Sequence, residues 1–247
     1  MKTACAWLLA CAGLWACDRG TGTAAAPDPA NPAAPTVETP ATTTVAAPEP
    51  APVRVDAPLG TRGEVVLVSL GEVEADLVDA VEVALREHLQ VDVRRLEPME
   101  LPKRAWYPKR KRYRADVLLE VLLEQIPDAP ATTRILGLTA VDISTTKDPY
   151  PDWGIFGLGY APGQAAVVSS FRLQRKARDR QHVRTRVANT ATHEVGHTFG
   201  LPHCTELRCP MQDAEGSIAN TDSANPDLGA ACQAKLDAAF PRRPGPG

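Results

Sequence analysis

Hydrophobic positions from about residue 63 to residue 199 alternate between strand-like and helix-like spacing. Short apolar runs predict buried strands at 65–68, 91–93, 134–143, 155–160 and 165–170. Apolar residues three or four positions apart predict helices at 73–89 and 115–125, and a further helix is predicted at 183–199. Strands and helices that alternate in this way are typical of an α/β domain with a mostly parallel sheet.

The first 61 residues follow a different pattern. Lys2 precedes an apolar stretch over residues 4–16, which is the plan of a secretory signal. The stretch ends in Leu14-Trp15-Ala16-Cys17, which resembles a bacterial lipobox, whose cysteine is lipidated; the alternative is an ordinary cleaved signal. Residues 18–61 are nearly all Ala, Pro, Thr and acidic residues, a composition that predicts a disordered tether.

These segments predict the domain organisation and the location. We expect a signal peptide at 1–17, a tether at 18–61, a folded domain at 62–240 and a flexible tail at 241–247. The protein is then exported, and Cys17 is the lipidated residue that anchors it to a bacterial membrane, in the periplasm or at the cell surface. The anchor is the only membrane contact that we expect.

Charge excludes one class of partner for the whole molecule. The 247 residues carry a formal net charge of -3, so the protein is not a nucleic-acid binder by charge. The basic run at 109–114 predicts a solvated loop and helix start, or a docking site for an acidic substrate or lipid headgroup. We expect a monomer that binds a peptide or protein substrate and no nucleic acid.

The chemistry of the chain is concentrated in one motif near residue 200. His193 and His197 are one helical turn apart on one face, so both can bind the same metal ion. Gly200 can end the helix in a left-handed conformation, and the chain can then bring His203 back to that ion. Three imidazoles leave the fourth position of a tetrahedral zinc open for water, whose pKa zinc lowers to about 7. Glu194 is placed to take the proton of that water.

The spacing His-Glu-x-x-His-x-x-Gly-x-x-His resembles the metzincin clan of zinc peptidases. The residues that follow, from Cys204 through Cys209 to Met211, are similar to the archaemetzincin family, as are Phe156-Gly157 and residues 167–173. The resemblance implies a metzincin-like zincin domain of the α/β class. Its expected parts are a twisted, mixed, mostly parallel sheet with an antiparallel edge strand, a long zinc-binding helix and a C-terminal helix.

The resemblance also implies roles for particular residues. His193, His197 and His203 would bind the catalytic zinc, and Glu194 would be the general base. Met211 would be the Met-turn residue beneath the site, and the strand at 155–160 would pair with an extended substrate. No tyrosine follows Met211, so the sequence offers no second donor for the charge that develops on the substrate oxygen.

The second metal site that the resemblance implies departs from the family pattern. Four cysteines would hold a structural zinc, but this chain has Gly229 in place of one of them. The three that remain are Cys204, Cys209 and Cys232. They either hold zinc with Asp222, Asp227 or water as the fourth ligand, or have lost the zinc and form a disulfide after export. The sequence favours a weakened or lost second zinc.

The function predicted from the sequence is that of a zinc metallopeptidase, which hydrolyses peptide bonds by zinc-activated water with Glu194 as general base. The alternative is a membrane-tethered, zinc-containing binding or scaffold protein without significant peptidase activity. Glu194 favours the enzyme, because metal binding alone does not require it.

Overall fold

The computed structural model describes residues 60–214 and 217–243. The predicted signal peptide, Cys17, residues 18–59 of the tether and residues 244–247 of the tail lie outside this part of the chain. Among the described residues, no helix combines the length and the apolar character that crossing a membrane demands.

A five-stranded sheet forms the centre of the domain. Its strands are β1 (Glu64–Leu70), β2 (Asp92–Arg95), β5 (Arg134–Thr139), β8 (Gly157–Gly159) and β9 (Ala165–Ser169), in the order β2-β1-β5-β9-β8. All neighbouring pairs are parallel except the last, in which β8 runs antiparallel to β9 at the edge. The predicted α/β class and the mostly parallel sheet with an antiparallel edge strand are confirmed.

The strands of this sheet bury both of their faces. Val65 and Leu67 of β1 point into one hydrophobic core, and Val68 and Leu70 point into a second core on the opposite face. Successive side chains of a strand point to opposite faces, so continuous apolar runs supply both cores.

In the described part of the chain, six α-helices surround the sheet and the site, with one 3-10 turn at Lys103–Ala105 and one π-helical turn. The α-helices are α1 (Ala75–Ala84), α2 (Ala115–Gln125), α3 (Ser170–Leu173), α4 (Arg180–Thr198), α5 (Ala219–Ser223) and α6 (Ala230–Ala239). The helix predicted at 73–89 is α1 followed by a π-helical turn at Leu85–Leu89. The bounds of α2 agree with the prediction.

The long helix α4 begins three residues earlier than the apolar pattern indicated. Asp179 caps its first turn, because the Asp179 carboxylate accepts a hydrogen bond from the backbone N–H of His182 at 2.7 Å. The helix ends as expected. Gly200 has φ of +84°, and the N–H of Leu201 donates to the carbonyl of Gly196 at 3.1 Å.

A second sheet of four strands was not predicted. It consists of β3 (Trp106–Tyr107), β4 (Arg112–Arg114), β6 (Ile143–Lys147) and β7 (Tyr150–Ile155), in the order β3-β4-β6-β7. Two predicted strands were wrong in extent. The run at 134–143 ends as β5 at Thr139 and re-enters a strand at Ile143, and the run at 155–160 is divided between β7 and β8.

The basic run at 109–114 is partly internal, unlike the solvated loop that its composition predicted. Arg112 is buried and pairs with Asp142 at 3.2 Å and with Asp152 at 3.6 Å. Arg114 donates a hydrogen bond to the carbonyl of Pro151 at 2.8 Å. These arginines connect β4 to the β6–β7 hairpin, because buried guanidinium groups require acceptors on several sides.

Candidate active site

Three histidine side chains converge at the C-terminal end of α4. The Nε2 atom of His197 lies 3.0 Å from Nε2 of His193 and 3.2 Å from Nε2 of His203. A tetrahedral zinc with Zn–N bonds of 2.0–2.1 Å implies nitrogen atoms about 3.3 Å apart. The three nitrogens therefore have the spacing that a zinc ion needs.

The opposite ring nitrogens fix the orientation of two of these histidines. Nδ1 of His193 lies 2.7 Å from the carbonyl oxygen of Pro210, and Nδ1 of His197 lies 2.8 Å from that of Leu201. A carbonyl only accepts, so each Nδ1 carries the proton and each Nε2 keeps its lone pair for a metal.

Burial keeps these rings neutral. It lowers the pKa of His193 to about 4, and the neighbouring His197 adds to the shift. Burial likewise lowers the pKa of His197, against a hydrogen bond to Leu201 that raises it. Neutral imidazole is the form that binds a cation, so the donor set fits zinc at neutral pH.

Glu194 lies beside this cluster, in the wall of the same cavity. Its carboxylate accepts a hydrogen bond from the backbone N–H of Gly159 in β8. Burial raises the pKa of Glu194 to about 8, and the hydrogen bond from Gly159 opposes that shift. A carboxyl group with a raised pKa has the proton affinity of a general base that works near neutral pH.

Two glycines allow the edge strand to approach α4. From the sequence, Gly157 was named only as part of the family resemblance, and Gly159 was not named. A Cβ atom on Gly157 would lie 2.5 Å from Cγ of Glu194. A Cβ atom on Gly159 would lie 2.5 Å from the backbone oxygen of Glu194. Glycines at alternate positions of a strand indicate a close backbone approach, and this signal could have identified them.

The cavity above the histidines has a volume of about 580 Å³. Its walls include β8, the end of β7 and the segment after His203, and among its side chains are Trp153, Arg172, Glu194 and Asp213. A cleft of this size, bounded on one side by an edge strand, can hold several residues of a peptide.

Met211 lies beneath the histidines and is completely buried. A Cβ atom on Gly196 would lie 2.6 Å from its sulfur, so the thioether packs directly against the helix between His193 and His197. This is the position expected of a residue that supports the site from below.

The three C-terminal cysteines form a second cluster. Cys204, Cys209 and Cys232 are free thiols, and their sulfur atoms all lie within 4.8 Å of one another. Burial raises the pKa of the Cys232 thiol to about 12, and the nearby Cys204 sulfur adds to the shift. A structural zinc has four ligands in a tetrahedron. The three thiols can supply three of them, so the cluster also fits zinc once a fourth ligand is added.

The two acidic residues considered as the fourth ligand lie elsewhere. Asp222 accepts hydrogen bonds from the buried Arg186 at 2.5 and 2.8 Å and lies 2.8 Å from His182. Asp227 lies 2.7 Å from Nδ1 of His88. Neither aspartate is part of the cysteine cluster.

The whole region that builds these two clusters corresponds to one known family. Residues 64–238 match the model of peptidase family M54. The chain belongs to peptidase family M54. It is thus an archaemetzincin-type zinc metallopeptidase, as the sequence predicted.

Curated archaemetzincins resemble the chain over more than half of its length. The chain is 34% identical over 133 residues to an archaemetzincin of Methanopyrus kandleri, a match that covers 54% of this chain and 70% of the relative. It is 30% identical over 154 residues to an archaemetzincin of Haloquadratum walsbyi, with 60% of this chain and 84% of the relative covered.

Solved M54 structures share the fold. The crystal structure of the Methanopyrus kandleri archaemetzincin superposes with a TM-score of 0.61 at 30% identity, over 71% of this chain and 94% of the other. That of the Archaeoglobus fulgidus archaemetzincin, complexed with malonate, has a TM-score of 0.58 at 25% identity, over 70% and 99%. The zincin-like α/β fold is therefore confirmed.

Proposed function

We propose that this M54 chain hydrolyses peptide bonds with zinc on His193, His197 and His203 and with Glu194 as the general base. The observation that carries the proposal is the position of the Glu194 carboxylate, in the wall of the cavity into which the three Nε2 atoms point. When bound, zinc supplies a Lewis acid and an open position for water.

The protein side chains carry the proton through the reaction. Glu194 takes the proton from the attacking water and returns it to the leaving amine nitrogen. Gly159 holds the carboxylate through its N–H, so the base keeps one orientation. The carbonyls of Pro210 and Leu201 hold the Nδ1 protons and keep the Nε2 lone pairs directed at the cavity.

An extended substrate is proposed to lie along β8. The backbone N–H of Tyr160 and the carbonyl of Phe156 bond to β9, so Gly157 and the carbonyl of Gly159 face away from that strand, while the Gly159 N–H is bonded to Glu194. A peptide that adds to this edge is held by its main chain directly beside Glu194. N-methylation of a single pairing amide in a peptide substrate should then raise KM.

Glu194→Gln tests the enzymatic function, because it keeps the shape of the side chain and removes the base. We expect kcat on a peptide library to fall about 100- to 10,000-fold, with the zinc content unchanged. Glu100→Gln, a change at an exposed carboxylate far along the sequence from the motif, is the matched control and should keep full activity. Zinc-loaded wild type and Glu194→Gln that are equally inactive on every peptide would instead favour the tethered binding or scaffold protein.

We also propose that the enzyme is exported and anchored through a lipid on Cys17, with residues 18–61 as its tether. The support is the order of an apolar leader, a lipobox-like sequence and a segment rich in Ala and Pro. Cys17→Ala should move the protein from the membrane fraction to the soluble fraction. An unchanged distribution between the two fractions would contradict the anchor.

A further inference from the structure

The carboxylate of Glu206 fills the space that the missing side chain of residue 229 would occupy. A Cβ atom on Gly229 would lie 2.5 Å from Oε1 of Glu206, and the other carboxylate atoms are no farther away. The backbone of Gly229 has φ of -64° and ψ of 157°, which suit any residue. Only the carboxylate of Glu206 stands where a side chain would be.

This space borders the cysteine cluster. The backbone N–H of Gly229 donates to the sulfur of Cys209 at 3.2 Å, and the backbone N–H of Glu206 donates to the sulfur of Cys204. Both residues 206 and 229 are therefore held against the sulfur atoms by their own main chains. The group of ligand atoms within 4.8 Å of one another contains the three sulfurs and not the Glu206 oxygens, so the carboxylate borders the cluster without yet joining it.

Three sulfurs are an incomplete set for zinc. A tetrahedral site with Zn–S bonds of about 2.3 Å needs sulfur atoms about 3.8 Å apart, and the spacing of the three thiols allows this. The remaining ligand must be a fourth anion or a neutral donor. A glutamate oxygen binds zinc at about 2.0–2.2 Å and gives the same total ligand charge as a fourth thiolate.

We infer that Glu206 is the fourth ligand of a structural zinc held by the three cysteines, in the place of the thiolate that Gly229 cannot supply. In the structure its oxygens accept hydrogen bonds from the N–H groups of Ala230 at 3.0 Å and Ala231 at 3.3 Å, in the first turn of α6. To bind zinc, one oxygen would have to turn from its amide towards the sulfurs, while the other could keep its amide.

Such a site would fasten two parts of the catalytic domain together. Cys204 directly follows the ligand His203, and Cys209 lies two residues before Met211. Cys232 belongs to α6, and both Cys209 and Cys232 are buried in the larger core. The second zinc thus holds the chain beneath the histidines against the C-terminal helix, and it is retained despite the glycine.

Zinc and cobalt binding by the full chain tests the inference without any activity measurement. We expect two zinc ions per chain, and we expect cobalt to give thiolate-to-metal charge-transfer absorption, which only the sulfur site can produce. Glu206→Gln keeps an oxygen for the helix amides and removes the charge. It should weaken zinc at the sulfur site by at least about tenfold in chelator competition, and it should alter the cobalt spectrum.

A rescue variant distinguishes a ligand from a helix cap. Glu206→Ala combined with Gly229→Cys clears the carboxylate and restores a thiolate, so zinc affinity should recover and the cobalt charge-transfer absorption should exceed that of wild type. Glu100→Gln is the matched control and should bind like wild type. Recovery of this kind is not expected if Glu206 only caps α6, because the double variant lacks the cap.

Two results would overturn the inference. In one, Glu206→Gln lowers the free energy of unfolding equally with and without chelator and leaves zinc affinity unchanged, so Glu206 is a cap only. In the other, wild type holds a single zinc ion, and its mass shows the loss of two hydrogens from a disulfide between two of the three cysteines.

Discussion

Glu194 and Gly157 are in direct contact across the interface between α4 and the edge strand β8, with no room for a methyl group between them. Gly157→Ala would place its Cβ 2.5 Å from Cγ of Glu194, so either the strand or the carboxylate must shift. A displacement of about 1 Å in a catalytic group can cost about 100-fold in rate. We expect a loss of kcat of that order with the zinc content unchanged.

A double-mutant cycle shows whether Gly157 acts through Glu194. In the Glu194→Ala background the space beside residue 157 is open, so Gly157→Ala should cost little further activity. Equal losses in both backgrounds would mean that the alanine disturbs substrate binding along β8 and leaves the base in place. Residual activity and bound zinc are the measurements for each of the four proteins.

Asp213 lies beside the third histidine of the proposed zinc site. Its Oδ2 lies 3.5 Å from Nδ1 of His203, whose side chain is almost half exposed; among residues 60–214 and 217–243, no carbonyl holds this Nδ1 as Pro210 and Leu201 hold those of His193 and His197. Partners of ligand histidines typically change metal affinity 10- to 100-fold when removed. Asp213→Asn should therefore weaken zinc at the histidine site about tenfold.

The loss of activity during titration with a chelator measures this effect. Asp227→Asn is the matched control, because Asp227 also pairs with a histidine, His88, but lies outside the active-site cavity. The control should lose activity at the same chelator concentration as wild type. If Asp213→Asn and Asp227→Asn behave alike, Asp213 has no role in holding the zinc.

Sequence reasoning identified the groups of the site whose arrangement is local. His193 and His197 are one turn apart on the same helix, and Gly200 ends that helix. Their relative positions therefore follow from their spacing in the sequence. Gly157 and Glu206 depend on contacts between distant segments. The spacing of residues along the chain does not show which side chains from distant segments come into contact.

The difference between local and long-range contacts also explains which strands could be predicted. The strands of the central sheet are buried on both faces and are apolar throughout, as in β9, so they are visible as runs. The strands of the second sheet are short and mix polar with apolar residues, and Arg112 and Ser144 are buried within it. Ion pairs such as Arg112 with Asp142 join this sheet to the segment before β6, and no hydrophobic period indicates them.

Met211 should tolerate a change of shape better than a loss of volume. Its side chain is fully buried against Gly196, so Met211→Ala leaves a cavity beneath the two proposed zinc ligands of α4 and should lower the free energy of unfolding by about 2–5 kcal/mol. Met211→Leu keeps the volume and should cost less than about 1.5 kcal/mol. Denaturant unfolding of the zinc-loaded proteins gives both values, and equal costs would contradict a packing role.

The ion pair between Asp222 and Arg186 should make stability depend on pH at the acidic end. Arg186 is 2% exposed and donates to both oxygens of Asp222, and it also donates to the carbonyls of Leu173 and Arg175. Asp222→Asn leaves a buried guanidinium without its anion. We expect a loss of about 2 kcal/mol in the free energy of unfolding at neutral pH, the scale of a hydrogen bond to a charged group.

The direction of the pH dependence follows from the pKa of Asp222. The hydrogen bond from Arg186 lowers this pKa below 3.8, against the opposing effect of burial. A carboxyl group whose pKa is lower in the folded state stabilises the fold above the pKa of the unfolded state. That stabilisation is lost as the pH falls through the lower, folded value. The difference between wild type and Asp222→Asn should thus be full at pH 7 and shrink below pH 3.8 in urea titrations, whereas a constant difference would mean that packing, and not charge, links α5 to α4.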